Sequence, residues 1–384
     1  MIRRGLFASM AAAAALACFD FSAAAADRAD IFAVSVPLDA TAANANAARD
    51  AARLDGERRA YAALLDRLTL ASDRGRLPAA SDAALNDLIQ GFEVANERRS
   101  TVRYLADYTF HFRADAIEQL LRDQKVPFAE TPSKPLIVLA VLESPQGPML
   151  WDDPNPWRDA WNRAKLPQGL VPLVTPLGEV EDVAAIDAAA ADTGDDPRLQ
   201  AISMNYGDGD VLVTRATIRQ ADDAKTVDIT TTRFAPGQTG NEQTWVASFA
   251  AAAGESDQVL LARAVVGTAD QVAQAWKQAN LIDYNQTGDL VVSIAASDLQ
   301  SWLAMRDQLT SVASIQRLDL IALDHRRALV ALHYVGDATQ LRLALAQRDL
   351  DLTGSEPDLT LQRRGTGPAP PPAVSAAPPE NSSQ

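Results

Sequence analysis

Hydrophobic and polar residues alternate along this chain with two different periods, and each change of period marks a change of element. Across residues 42–70 apolar side chains recur every three or four positions, which predicts a long helix with one buried face. Across residues 102–112 the period is two, which predicts a strand with one buried face. Residues 136–142 form a continuous apolar run, which is typical of a strand buried on both faces.

The alternation of such elements predicts an α+β (α/β) fold built from several small strand-helix sandwich modules. Composition and turn residues divide the chain into five segments: a signal peptide at 1–26, an N-terminal α+β domain at 29–130, a central α/β domain with a Trp-rich helix at 135–280, a ferredoxin-like domain at 288–354, and a disordered Pro/Ala-rich tail at 363–384. The ferredoxin-like prediction rests on the order βαββαβ within about 65 residues.

The N-terminus has the pattern of a cleavable export signal. Arg3 and Arg4 precede an apolar run at residues 6–18, and small residues at 22–26 offer cleavage sites after Ala24, Ala25 or Ala26. We therefore expect the mature chain in a bacterial periplasm. Lipid attachment at Cys18 is a rival interpretation, although residues 15–17 match the lipoprotein pattern poorly. No other stretch reaches the roughly 20 apolar residues of a membrane helix, so we expect no transmembrane segment in the mature chain.

Composition narrows the classes of function. Cys18 is the only cysteine and lies within the predicted signal, so disulfides and thiolate chemistry are excluded from the mature chain. The formal net charge is -15 and no basic stripe offsets it, which excludes nucleic acid as a partner. The Pro-rich tail lacks the apolar content needed to pack, and it is either solvated or a polyproline ligand for a partner.

The sequence contains none of the common catalytic, phosphate-binding or metal-binding motifs, so no catalytic residue, metal site or cofactor is predicted. The three histidines are far apart in sequence. An acid/base or metal role is open for His111, as is a surface cross-strand pair. His325 falls in a predicted hairpin turn, and His333 lies in an apolar strand, where a hydrogen-bonded structural role is typical.

A Trp-rich string provides the candidate binding residues. Trp157 and Trp161 are four residues apart and share one face of a helix. One interpretation is an aromatic and cationic groove for a peptide, a glycan or a partner's aromatic side chain. The other is that these tryptophans anchor the helix on the sheet as core. The candidate ligand- or partner-binding set is Trp151, Asp152, Asp153, Trp157, Arg158 and Trp161.

Several strings resemble a family of exported proteobacterial proteins that is catalogued as a domain of unknown function. They are ARLDGERRAYAALLDRLT at 52–69, GFEVANERRSTVRYLADYTFHFRADAIEQLL at 91–121, PLIVLAVL at 135–142, LWDDPNPWRDAWNRA at 150–164 and LVPLVTPLGEVEDV at 170–183. The resemblance implies an exported multi-domain protein and supplies no catalytic residues. More loosely, the modules look like those of periplasmic accessory proteins of envelope machines.

These features favour an exported, non-enzymatic binding or scaffold protein with an envelope protein as partner. The alternative is a hydrolase of envelope glycan or peptide, with Asp152 and Asp153 as its carboxylates, since ligands gather after the strands of open α/β sheets. A second carboxylate beside them in a deep pocket would favour the hydrolase. A flat exposed groove or an open sheet edge would favour the scaffold.

Overall fold

The computed structural model describes residues 31–364, except 222–223, 238–239, 241, 283, 285, 297, 325 and 356. The predictions for the signal peptide, for His325 and for the tail from residue 365 onward lie outside the described residues. Helices and strands are mixed throughout the described chain, which confirms the α+β class.

The first module is a three-stranded antiparallel sheet with a long helix across one face. Its elements are β1 (Ala33–Thr41), α1 (Ala45–Leu68), α2 (Asp82–Leu88), β2 (Ile89–Arg99), β3 (Arg103–Phe112) and α3 (Ala114–Asp123), with a 3-10 helix at Ala71–Arg76. The strand order is β1-β3-β2. Alternate residues of β3 are buried, as the period of two predicts. At Gly56 of α1 an added Cβ would lie 2.6 Å from Leu38 Cδ2, so glycine permits the close approach of helix and sheet.

The central module is a mixed sheet with helices on both faces. Its elements are β4 (Leu136–Ser144), β5 (Gly147–Met149), α4 (Pro156–Arg163), β6 (Leu173–Val174), α5 (Val180–Ala185), α6 (Ala188–Thr193), α7 (Asp196–Asn205), β7 (Val211–Ala221), β8 (Ala224–Phe234), β9 (Gln243–Ala250) and α8 (Asp257–Ala279). The order is β5-β4-β7-β8-β9, with β6 also on β4. Leu136, Val138 and Ala140 belong to one core cluster, while Ile137 and Leu139 belong to another. The continuous apolar run of β4 therefore serves two cores.

The last module is a five-stranded sheet, and it corrects the ferredoxin-like prediction. Its elements are β10 (Thr287–Ala295), α9 (Leu299–Thr310), β11 (Ile315–Leu323), β12 (Arg327–Val335), α10 (Ala338–Ala346), β13 (Leu350–Thr353) and β14 (Leu359–Arg363). The first six follow the order βαββαβ, but the sheet order is β11-β12-β10-β14-β13. The additional strand β14 pairs in parallel with β10 and separates it from β13. Buried Leu359 and Leu361 require this position, and the predicted boundary at 354 missed them.

The first and central modules share one hydrophobic core, which runs from Ile31 to Trp276 and includes residues of both sheets. Buried Lys277 of α8 reinforces this junction, because its Nζ donates to the carbonyl oxygens of Asp66 and Thr69 at 2.8 and 2.6 Å. The last module has a core of its own. It meets the central module through Lys134, whose backbone N–H donates to Gln347 Oε1 at 2.7 Å.

Within the described part of the chain, no helix is both long enough and apolar enough to cross a bilayer.

Candidate functional site

The Trp-rich string lies directly after β5, where Asn155 fixes the start of α4. Asn155 is fully buried, and its Oδ1 accepts from the backbone N–H groups of Trp157 and Arg158 at 3.2 and 3.0 Å. Its Nδ2 donates to the carbonyl oxygens of Met149 and Leu150, each at 3.3 Å. One amide side chain therefore caps the helix and ties it to the sheet.

Trp157 and Trp161 do share one face of α4, but that face packs inward, so the predicted aromatic groove is corrected to core. Trp157 is 0% exposed and Trp161 is 3% exposed. Their rings meet edge to face with centroids 5.8 Å apart. Trp157 Nε1 donates to Thr214 O at 2.9 Å, on the neighbouring strand β7. Neither ring is accessible to a peptide, a glycan or a partner's side chain.

The remaining residues of the string are held by internal contacts. Buried Arg158 donates to Leu150 O at 3.2 Å and forms an ion pair with Asp153 at 2.6 Å, while the Asp153 side chain is 82% exposed. Half-buried Trp151 donates from Nε1 to Ile186 O at 2.7 Å. The guanidinium of Arg158 thus supports the loop after β5 rather than facing a groove.

Asp152 and Asp153, the carboxylates of the hydrolase alternative, lie on the surface of the loop after β5. Both are exposed, and neither lines either of the two cavities between modules. Among the described residues, no group of three or more His, Cys, Asp and Glu side chains is arranged to hold a metal ion.

The described histidines fit cross-strand structural roles. His111 Nε2 lies 3.3 Å from Glu93 Oε1 across the first sheet. On the last sheet, His333 lies between Asp289, which contacts its Nδ1, and Asp319, whose Oδ2 is 2.9 Å from its Nε2. Arg317 Nη2 also lies 3.0 Å from His333 Nε2, so charged side chains of both neighbouring strands surround the imidazole.

Comparison with protein-family models, with curated proteins and with solved structures finds no match to this chain. The candidate site therefore rests on its geometry alone.

A cleft of about 330 Å³ opens at the other end of the central sheet from the Trp-rich string. It is lined by residues of β8, β9 and α8, among them Arg233, Trp245 and Trp276, and by Gln347 directly after α10. Arg233 stacks over the Trp276 ring, with its Cζ 5.3 Å from the ring centroid, and it forms an ion pair with Asp210 at 2.5 Å. Half-buried Trp245 connects this cleft to strand β9.

Strand β9 is a free sheet edge, since it pairs only with β8 among the described residues. Its eight residues, QTWVASFA, contain no charge and no proline, and its register with β8 runs without a shift. Natural proteins usually protect edges with charges, prolines, bulges or short strands, because unpaired N–H and C=O groups recruit other strands. None of these protections lies within the residues of β9 itself; at its end, Arg263 of α8 donates to Ala250 O at 2.7 Å.

The other edge strands do carry such protection. β1 has Pro37 and Asp39, and β2 has Glu93 together with two register shifts. β11 has Arg317 and Asp319 and two register shifts. β5 and β13 are only three and four residues long. The lack of protection is therefore particular to β9 among the described sheet edges.

The side of β9 that faces away from α8 is exposed and carries short side chains. Val246 is 70% exposed, which is the highest value of any large apolar side chain in a described strand. Its neighbours on the same side are tied to β8: Thr232 and Thr244 share a hydrogen bond of 3.1 Å between their hydroxyls, and Ser248 donates to Asp228 at 2.6 Å. The position of β9 at the end of the sheet order makes it an edge strand.

Proposed function

We propose that this chain is an exported, non-enzymatic binding and scaffold protein of the bacterial envelope, and that it captures an extended segment of an envelope partner along β9. Added strands of this kind gain affinity from main-chain hydrogen bonds, and adjoining pockets select their side chains. The cleft beside Trp245 is such a pocket.

The observation that carries the binding proposal is the edge strand β9, which has an unshifted register and no charge or proline among its residues. Eight residues present about 26 Å of strand, which is enough to pair with a typical strand of a partner. Exposed Val246 offers an apolar contact at its centre. Thr244 and Ser248, the short side chains on either side of Val246, are each held by a hydrogen bond to β8.

The location in the periplasm rests on the export pattern of residues 1–26, and membership of the exported family rests on the strings quoted above. Deleting residues 6–18 tests the location, because it removes the apolar core of the signal. We expect the intact chain in the periplasmic fraction and the deleted chain in the cytoplasm. Periplasmic recovery of both would contradict the export signal.

Site-specific photocrosslinking in living cells tests binding at β9. A photoreactive residue is placed at Ser248 on the edge strand and, as the matched control, at Thr230. Both positions are exposed on the same side of the sheet, but Thr230 lies on the interior strand β8. We expect a discrete adduct from Ser248 and none from Thr230. Adducts of equal yield from both positions, or none from either, would contradict strand capture at β9.

A further inference from the structure

We propose that the segment captured by β9 is β9 of a second copy of this chain, paired antiparallel about a two-fold axis at Val246. This inference rests on the proposed function, since it names the partner of the same edge. Its support is the self-complementarity of the strand in residue size and in hydrogen bonding, together with the absence of ionisable side chains within β9.

The register follows from the exposed side of the strand. In an antiparallel pair, residues directly opposite each other lie on the same side of the sheet. With the axis at Val246, this side chain meets its own copy, and Thr244 meets Ser248 of the second copy. Exposed Val246 would thus become covered, and the hydroxyl pair matches the Thr and Ser pairs that stabilise sheets.

The opposite side of the strand fits the same register. Trp245 lies opposite Ala247 of the second copy, so the largest side chain of β9 meets one of the smallest. An axis perpendicular to the sheet leaves α8 of both copies on one side and both exposed Thr and Ser surfaces on the other. The two central sheets then continue into each other without exposing either core.

Charge within the strand does not oppose a second copy. β9 contains no ionisable side chain, so self-pairing brings no like charges together within the strand, although the chain as a whole carries -15. At the end of the strand, Arg263 of α8 is already paired with Glu255 at 2.9 Å and donates to Ala250 O at 2.7 Å, so it adds no ion pair between the copies.

Single-cysteine crosslinking of the full chain tests the register. Cys18 is the only cysteine, so a Cys18→Ser background makes each introduced thiol unique. Opposite residues of an antiparallel pair have Cα atoms about 4.5 to 5.5 Å apart, within the range of disulfides. We expect Val246→Cys to form a disulfide-linked dimer under mild oxidation. The matched control Ser248→Cys should stay unlinked, because its two copies lie about 13 Å apart along the strands.

A linked dimer from Ser248→Cys with none from Val246→Cys would overturn the proposed two-fold axis. Sedimentation of cysteine-free chains provides the second measurement. Val246→Lys places like charges together at the axis and should raise the dimer dissociation constant at least about tenfold, while Val246→Thr keeps a β-branched side chain and should change it far less. Circular dichroism verifies that both variants fold.

The same measurements separate this inference from the proposed function. An adduct from the photoreactive residue at Ser248 with twice the mass of the chain supports the second copy. An adduct of another mass, together with a monomer in sedimentation, overturns the second copy and leaves strand capture at β9 intact. A monomer without any adduct overturns both.

Discussion

At the scale of single residues, the two tryptophans of α4 have different roles despite their shared face. Trp157 Nε1 donates to both oxygens of Thr214, at 2.9 Å to the carbonyl and 3.2 Å to the hydroxyl. Trp161 Nε1 is buried and has no hydrogen-bond partner among the described residues. Trp157 thus connects α4 to β7 by polar and apolar contacts, whereas Trp161 contributes packing alone.

We expect Trp157→Phe to lower the free energy of unfolding by about 1–3 kcal/mol, because a buried acceptor loses its donor and the smaller ring leaves space. The matched variant Trp161→Phe should cost less, since the indole N–H that it removes has no partner. Urea denaturation followed by circular dichroism measures both. Equal losses in the two variants would show that the bond to Thr214 adds nothing beyond volume.

Lys277 is a charged residue that is buried in the structure. It lies near the end of a surface-type helix, yet it is 4% exposed and its ammonium donates to two carbonyl oxygens at the end of α1. A cation near a helix C-terminus also meets the negative end of the helix dipole. Burial nevertheless lowers the pKa of the Lys277 ammonium below its ordinary value.

Replacing Lys277 with Met leaves the carbonyl oxygens of Asp66 and Thr69 without this donor in a buried place. We expect a loss of about 1–3 kcal/mol in the free energy of unfolding, measured in urea. Gln278→Met is the matched control, because Gln278 is its exposed neighbour on α8. If Lys277→Met were as stable as Gln278→Met, the hydrogen bonds from Lys277 of α8 to the end of α1 would not contribute to stability.

The lowered pKa also predicts a pH dependence. Between the folded pKa and the ordinary value of 10.5, the unfolded chain binds more protons at Lys277 than the folded chain does. Stability from this group therefore rises with pH through that window. We expect the difference in unfolding free energy between the natural chain and Lys277→Met to grow from pH 8 to pH 10. A difference that shrinks over this range would contradict the burial of the charged form.

At the scale of elements, N-cap side chains determine where the helices begin, and the burial of each cap determines how much it adds to the free energy of unfolding. Asn44 and Asn155 occupy the same position before α1 and α4, and each accepts from the following backbone. Asn44 is exposed, whereas Asn155 is fully buried and also donates to the end of β5. The second cap therefore supports the sheet as well as the helix.

We expect Asn155→Ala to lower the free energy of unfolding by about 2–4 kcal/mol, since the cap and the buried donor are lost together. Asn44→Ala should cost about 0.5–1 kcal/mol, as at an ordinary exposed cap. Thermal and urea unfolding compare the two variants. Similar losses would mean that the amide of Asn155 does not tie α4 to β5.

At the scale of the whole molecule, the arrangement of cores defines the cooperative units. The first and central modules share one core cluster, and the last module has another. Leu64 of α1 and Leu332 of β12 are both 0% exposed, one in each cluster. These two leucines are a matched pair for testing whether the cores unfold together.

We expect Leu64→Ala to lower the free energy of unfolding by about 2–5 kcal/mol. The variant should accelerate amide hydrogen exchange in the first and central sheets alike. Leu332→Ala should accelerate exchange mainly in the last sheet. Exchange followed by mass spectrometry measures both. Faster exchange confined to the first sheet in Leu64→Ala would show that the shared core does not couple the two modules.

The local patterns of the sequence were enough to predict most elements and the α+β class, because burial of one or both faces imposes its period on the residues themselves. The period of two in β3, the long helix α1 and the apolar run of β4 are each local signals. The place of each element among its neighbours depends on distant residues. Strand β14 consists of five residues that follow the predicted module. It lies between β10 and β13, where Leu359 and Leu361 are buried in the core of the last module.

The candidate site shows the same division. The sequence by itself determined that Trp157 and Trp161 share a helix face and that residues 243–250 carry no charge. Only the tertiary structure decided that the tryptophans face the core and that β9 lies at an edge. The physical reason is that the local sequence of a helix or a strand does not determine which other element packs against it. Contacts between residues far apart in the chain set the sheet order, and the sheet order decides whether a strand has one neighbour or two.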